Sequence, residues 1–306
     1  MRKGPYYIQF YPTIRCDRSC EFCFNRTMPG VPDMSLKDCQ KMFDTLKAFG
    51  VKTIDIIGGE PTLHPDITSI VREAVSRGFF VNVSSNGREI QILEEIAIID
   101  DKVTVGISIN DLETLDRCAS LIRKHKLVVK SIFSREMDEG LVKGIIELKP
   151  TKFYLIYRDA ADRHNVKATI PFYQFVHIVQ QRYSVKGVGS VFCSGFLPDT
   201  GSSFELDQVR CPAGTTKLGV MPDGSVYPCN LFFGRREFLL GNILVEQFEF
   251  IWNHKSLSFF RSFSGNRCAQ KSCTLHEQCH GGCPAQSLLV YDNLAAPDPR
   301  CSRAEA

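Results

Sequence analysis

Three cysteines stand close together near the start of the chain, in Cys16-Asp17-Arg18-Ser19-Cys20-Glu21-Phe22-Cys23, a C-x3-C-x2-C spacing. Three thiolates on one short loop can bind three irons of a 4Fe–4S cluster, which leaves the fourth iron open to a substrate or cofactor. A zinc site with a distant fourth ligand is the other chemistry this spacing allows. Seven more of the 13 cysteines fall between Cys211 and Cys301. The N-terminus decides how to read such clusters. Met1-Arg2-Lys3 is basic, but Gly4-Pro5-Tyr6-Tyr7 follows it instead of an apolar core, so no signal peptide is expected. A cytoplasmic chain keeps its thiols reduced, and clustered cysteines then read as metal ligands before disulfides.

The rest of the composition is ordinary. Of 306 residues, 43% are hydrophobic and 23% charged, which excludes disorder, collagen and coiled coil for the whole chain. The net charge of +3 argues against a basic nucleic-acid surface. No apolar run approaches the roughly 18 residues of a membrane span.

The cysteine loop needs elements to hold it. Tyr7-Ile8-Gln9-Phe10-Tyr11 reads as a strand, so Cys16 lies in the loop after the first strand. Ser35-Leu36-Lys37-Asp38 is a capping-box signature opening a helix that carries Leu36, Met42, Phe43 and Leu46. Strands follow at Lys52–Ile57, Phe79–Val83, Val103–Ile109, Leu127–Phe133 and Lys152–Tyr157, with helices at 66–77, 89–99, 112–124, 137–148 and 170–183. The second strand ends at Gly58-Gly59, and the third is closed by Ser84-Ser85-Asn86-Gly87. This βα rhythm implies a parallel sheet with helices outside. Six units are fewer than the eight of a closed barrel, so the expected fold is α/β, a partial (β/α)6 TIM-like barrel or an open sheet. Sites belong at the C-terminal ends of its strands. Past residue 185 the chain turns Gly-, Pro- and Cys-rich, with a hairpin expected at Val220–Tyr227 around Pro222-Asp223-Gly224. A segment of that kind has little core of its own and depends on metal to fold.

With these residues in place, the chain resembles the radical S-adenosylmethionine (SAM) enzymes. Cys16, Cys20 and Cys23 have the family's spacing, Phe22 is the aromatic residue before the third cysteine, and Gly58-Gly59-Glu60-Pro61 matches the segment that contacts the SAM amino group. Two glycines let backbone approach a ligand closely, and Glu60 or nearby carbonyls can accept from an ammonium group. The resemblance implies that the three cysteines hold a cluster whose open iron is chelated by SAM. One electron then cleaves SAM to methionine and a 5′-deoxyadenosyl radical, which abstracts hydrogen from a substrate. It places Phe22 near the adenine, and Ser85, Asn86 and Ser108 where family members contact SAM.

The C-terminal part resembles the SPASM extension, which carries auxiliary 4Fe–4S clusters. The resemblance divides the chain into a SAM core, 1–185, and a small Cys-rich iron–sulfur domain, 186–306. It implies one auxiliary cluster on Cys211, Cys229 and Cys283 and another on Cys268, Cys273, Cys279 and Cys301, three clusters in all. Four residues separate Cys268 from Cys273 where the family has two. Cys193 is a candidate fourth ligand of the first auxiliary cluster, against a buried thiol on a strand. An all-cysteine zinc site would explain the C-terminal array as structure only. Cys39 and Cys118 sit within expected helices and read as core thiols.

Members with this extension commonly modify peptides or proteins, and others act on small molecules such as sugars. Asn230 follows Cys229 where sulfatase-maturating members place an acid, which disfavours that activity. The first strand starts near Tyr7, leaving no room for an N-terminal peptide-recognition domain, so either a separate recognition protein delivers the peptide or the substrate is not a leader-bearing peptide. A flavodoxin- or ferredoxin-type reductant is an expected partner. Tyr157 and Arg158 at the end of the sixth strand, and Tyr227 and Asn230 beside Cys229, are further candidates for the reaction site, against packing or a surface role for each. His276 and His280 are candidates for tuning a cluster. The reading is a radical SAM oxidoreductase acting on a peptide or protein residue. The alternatives are the same chemistry on a small molecule, and a non-catalytic iron–sulfur protein for electron transfer or assembly.

Overall fold

Every second residue of the central strands is apolar, and that alternation sorts the sheet into two faces. The computed structural model describes residues 4–28, 30–125, 127–134, 137–160, 163–183, 186–191, 211–263, 265 and 281–301. Strands β1 (Tyr7–Phe10), β2 (Thr53–Ile56), β3 (Phe80–Ser85), β4 (Val103–Ser108), β5 (Val128–Phe133), β6 (Lys152–Tyr157) and β7 (Val188–Val191) pair in parallel in that order. On one face Ile8, Ile54, Val81, Val105, Val129 and Leu155 are at most 1% exposed. Helices cover this face: α1 (Leu36–Ala48), α2 (Ile67–Ser76), α3 (Ile90–Ala97), α4 (Leu112–Lys124) and α5 (Glu139–Glu147), then the shorter α6 (Phe172–Ile178). Phe10 meets Phe43 of α1 edge to face at 6.0 Å, and Phe133 meets Phe175 of α6 at 5.3 Å. The helix expected at 170–183 ends early, because its last turn, Val179–Tyr183, widens into a π-helix.

The capping box forms as read: the Ser35 hydroxyl accepts the Asp38 N–H at 3.1 Å. Cys39 of α1 and Cys118 of α4 are fully buried in the core.

The other, concave face is polar. Gln9, Asp55, Asn82, Lys130 and Lys217 lie on it, all at most 7% exposed.

The C-terminal segment differs from its expectation. Strand β8 (Lys217–Val220) pairs in parallel with β1, and β9 (Ser225–Tyr227) and β10 (Gly241–Asn242) extend the same sheet. The expected hairpin is β8–β9, with its first strand starting three residues earlier. Beyond it come α7 (Phe248–Trp252), α8 (Ser258–Ser262) and α9 (Pro284–Tyr291). The segment brings a core of its own: Phe232 packs on Phe238 at 4.5 Å and on Phe260 at 5.4 Å. That core is continuous with the barrel's, because β8 lies directly on β1. Aromatic residues scattered at irregular spacing carried no periodicity by which the sequence could announce them.

Candidate active site

The loop that carries Cys16, Cys20 and Cys23 leaves the C-terminal end of β1 and is laced to the loop after β2. Ile57 N–H donates to the Phe10 carbonyl at 2.9 Å, Gly59 N–H to Thr13 at 3.2 Å, and Glu60 N–H to Arg15 at 2.7 Å. Gly58 has φ +144°, and a Cβ on Gly59 would lie 2.1 Å from the Arg15 carbonyl oxygen. The two glycines therefore admit the chain's own backbone, residues 13–15, on its way to Cys16.

Glu60 is 1% exposed and already engaged. One carboxylate oxygen accepts the Thr62 N–H at 3.1 Å and its hydroxyl at 2.6 Å; the other accepts the Asn86 N–H at 2.7 Å. Burial raises its pKa, and the bonds from Thr62 and Asn86 work against that shift. Glu60 thus braces the loop after β2 against the loop after β3. Pro61 opens the 3-10 turn it caps. The Ser85 hydroxyl accepts the Gly87 N–H at 3.1 Å, a turn role.

The cysteine loop is tied down by Asn86, which the resemblance placed among the SAM contacts, and by Arg18, Arg88 and Thr114, which sequence reading did not single out. Asn86 Nδ2 donates to Asp17 at 2.7 Å, Arg88 donates to the Asp17 carboxylate at 3.1 Å, and Arg18 donates to the Thr114 hydroxyl at 2.6 Å. Cys23 N–H donates to the Cys20 carbonyl at 3.1 Å. None of the three cysteines is in a disulfide. Loss of water raises the Cys16 thiol above its ordinary pKa, and Glu60, Asp17 and Cys23 add to the shift. A soft, all-thiolate donor set in which added negative charge is resisted fits a bound iron–sulfur cluster, whose irons would offset the repulsion. Phe22 sits in this loop, half-buried, between Cys20 and Cys23.

Inside the barrel, Lys130 of β5 donates to the Ser84 hydroxyl of β3 at 2.6 Å, and Ser108 is its register partner on β4. Burial lowers the Lys130 ammonium to about 8, with Asp55 opposing the shift. A buried ammonium at that depth suits the carboxylate of an amino-acid ligand. Its signal in the sequence was faint: an acid in Thr53-Ile54-Asp55-Ile56 and a lysine in Val128-Val129-Lys130-Ser131, both mid-strand.

A second chain of side chains joins this site to the C-terminal segment. Asn25 Nδ2 donates to the Gly58 carbonyl at 2.7 Å, the Tyr11 hydroxyl donates to Asn25 Oδ1 at 3.4 Å, and Asn230 Nδ2 donates to the Tyr11 oxygen at 3.3 Å. Gly58 can only accept at its carbonyl, and this sets the direction of every bond after it. Burial pushes the Tyr11 phenol well above its ordinary value. Asn230 is 1% exposed and follows Cys229, which is also buried. Tyr227 is packed edge to face on Phe233 at 5.4 Å.

Tyr157 and Arg158 part at the end of β6, and Tyr157 takes the packing role weighed against a place in the reaction site. Tyr157 is on the helix-packed face, with its ring on Phe172 and Phe175 and its hydroxyl on the Ile170 carbonyl at 2.7 Å. It serves packing, because strand alternation turns it away from the concave side. Arg158 comes one residue past β6, and its carbonyl accepts from Arg300 at 3.2 Å.

Of the C-terminal cysteines, Cys229 opens a 3-10 turn and Cys283 stands at the N-cap of α9, while Cys211, Cys283 and Cys301 are half-buried and in no disulfide. Cys193, Cys268, Cys273, Cys279, His276 and His280 lie outside the described residues. Among the described residues, no three Cys, His, Asp or Glu side chains converge on a single-ion site. No helix among them is long and apolar enough to cross a membrane.

Comparison with known proteins agrees with this geometry. Residues 10–132 match the radical SAM superfamily, and residues 211–284 match an iron–sulfur cluster-binding domain, SPASM. The chain is 28% identical over 336 residues to the mycofactocin maturase MftC of Mycolicibacterium smegmatis, covering 97% of this chain and 83% of that protein. It is 25% identical over 321 residues to the subtilosin biosynthesis protein AlbA of Bacillus subtilis, covering 93% and 68%. Among solved structures, Streptococcus suis SuiB bound to its precursor peptide SuiA superposes with a TM-score of 0.77 at 20% identity, over 99% of this chain and 76% of SuiB; that likeness is one of fold. The thiol loop on its glycine cradle and the cysteine-bearing extension of the same sheet belong together: the chain is a radical SAM superfamily enzyme with a C-terminal SPASM domain.

Proposed function

We propose that this enzyme cleaves SAM reductively and abstracts a hydrogen atom from a residue of a peptide or protein substrate. The observation that carries the reading is the lacing of the Cys16–Cys23 loop to Gly59 and Glu60, over a concave face lined by buried polar side chains. Cys16, Cys20 and Cys23 would hold the SAM cluster. When bound, the cluster and SAM supply a 5′-deoxyadenosyl radical. The chain's residues position what reacts. Lys130 offers an ammonium to the SAM carboxylate, Ser108 stands beside it, and Phe22 offers a ring to the adenine. The walls of the barrel keep water from the radical. The maturase role of MftC, the part of AlbA in biosynthesis of the bacteriocin subtilosin, and the SuiA precursor peptide on SuiB favour a peptide substrate over a small molecule.

The same reading gives the enzyme three clusters. Cys211, Cys229 and Cys283 hold one auxiliary cluster, Cys268, Cys273, Cys279 and Cys301 the other, and Cys193 is a further candidate ligand of the first. Residues 1–185 make the SAM unit and 186–306 the auxiliary unit, although β7 lies with the first in the sheet. A flavodoxin- or ferredoxin-type reductant delivers the electron, a separate recognition protein presents the peptide, and the enzyme works in the cytoplasm.

The test is anaerobic reconstitution, dithionite and SAM, with chromatography for 5′-deoxyadenosine. The wild type forms it and Cys16→Ala does not. About twelve irons per chain accompany full loading. Full iron without 5′-deoxyadenosine would overturn the reading.

A further inference from the structure

Two carboxylates and one guanidinium are sealed between the end of β6 and the C-terminal tail. The Arg300 side chain is 3% exposed. Its Nε donates to Asp298 Oδ1 at 3.0 Å and its second terminal nitrogen to Asp298 Oδ2 at 2.7 Å, a two-pronged pair. Its remaining nitrogen donates to Asp159 at 2.8 Å, and the guanidinium lies 4.7 Å over the Tyr157 ring. Asp298 grips two cysteines at once: its carboxylate accepts the Cys283 N–H at 2.9 Å, and its carbonyl accepts the Cys301 N–H at 3.0 Å. The packing admits nothing larger, since a Cβ on Gly282 would stand 2.2 Å from the Asp298 Cβ. Gln286 of α9 completes the clamp by exchanging hydrogen bonds with Ala160 at 3.1 and 3.2 Å.

Stability alone does not explain this arrangement. A buried ion group is commonly no more stabilising than apolar residues of the same volume. Asp159 is a second carboxylate on a guanidinium that Asp298 already holds at two points, and these charges stand where water screens them little. Net charge close to an iron–sulfur cluster is one of the quantities that set its reduction potential.

We propose that Asp159, Arg300 and Asp298 form a positioning group that fixes Cys283 and Cys301 against the end of β6 and tunes, through its buried charges, the potentials of the clusters on those cysteines. The inference rests on the reading above that Cys283 and Cys301 bind auxiliary clusters. Acting through the cysteines, the group touches no reacting atom. It decides how readily the auxiliary clusters accept an electron from a substrate radical.

The test uses the full chain with Cys16, Cys20 and Cys23 replaced by Ala, so that only auxiliary clusters contribute. Potentials are measured by EPR-monitored redox titration, with iron and sulfide counted in every sample. Asp159→Asn keeps the shape and removes a negative charge, so the potential shifts positive. Arg300→Gln removes the positive charge, so it shifts negative. Arg300→Lys keeps the charge and stays near the parent. Unmoved potentials, or shifts of one sign in both charge variants at unchanged iron content, overturn the inference and leave the group as packing. If Arg300→Gln does not fold, Asp159→Asn decides alone: a shift that is absent or negative overturns it. Iron that is not lost in Cys283→Ala or in Cys301→Ala overturns the cluster reading, and the inference falls with it.

Discussion

The Glu60 carboxylate accepts the backbone N–H of Asn86 at 2.7 Å, and this bond ties the loops after β2 and β3 together under the thiol loop. Glu60→Ala leaves the Asn86 and Thr62 N–H groups buried without acceptors. Each such group costs about 1–3 kcal/mol. Calorimetry should show a Tm several degrees below the wild type, and an unchanged Tm would show that the brace is dispensable.

Gly59 is the tightest point of the cradle. Gly59→Ala places a methyl group 2.1 Å from the Arg15 carbonyl and 2.4 Å from that of Ile14, both backbone atoms that cannot swing aside. The loop leading to Cys16 must move. Reconstituted protein should lose the SAM cluster, seen as about four fewer irons per chain, while far-ultraviolet circular dichroism stays unchanged.

Tyr11 and Asn230 link the thiol loop to the residue after Cys229. A double-mutant cycle of Tyr11→Phe and Asn230→Ala should give a coupling energy on the order of 1 kcal/mol in chemical denaturation. Additive losses would mean that the bond carries no energy between the two halves.

Lys130 predicts a pH dependence. Its folded pKa, lowered to about 8 by burial, lies below the unfolded value. The unfolded chain therefore binds more protons between about 8 and 10.4, and stability rises with pH across that window. Below pH 8 the full cost of the buried charge is present. Lys130→Met removes this titration but leaves buried Asp55 without its ammonium, so the wild type's Tm should gain on the variant's as pH rises from 8 toward 10, whichever stands higher at pH 7. A difference that does not vary with pH would place the ammonium in water.

Some of this protein was legible before any coordinates. The Ser35 cap, the strand–helix alternation and the position of Cys16 after β1 follow from local periodicity and spacing, which neighbouring residues in the chain decide among themselves. Lys130, Asp55 and Asn82 were not legible as a group. Each is a polar residue in a short strand, and only parallel pairing in one register puts them on the same concave face. Tyr157 and Arg158 show the opposite case, adjacent in sequence and assigned together, yet divided by the alternation of the strand.

By itself the sequence determined the chemistry: three thiols at C-x3-C-x2-C, a Gly-Gly-Glu-Pro turn and a cysteine-rich tail, because donor identity and spacing are local properties. Tertiary structure decided what those residues do for one another. It turned the two glycines into the seat of the thiol loop, spent Glu60 on Asn86 and Thr62, and set β8 against β1 so that Tyr11 reaches Asn230. It also sealed Arg300 between Asp159 and Asp298 across 141 residues of chain. Contacts between residues so far apart depend on which faces pack together, and no local pattern encodes that.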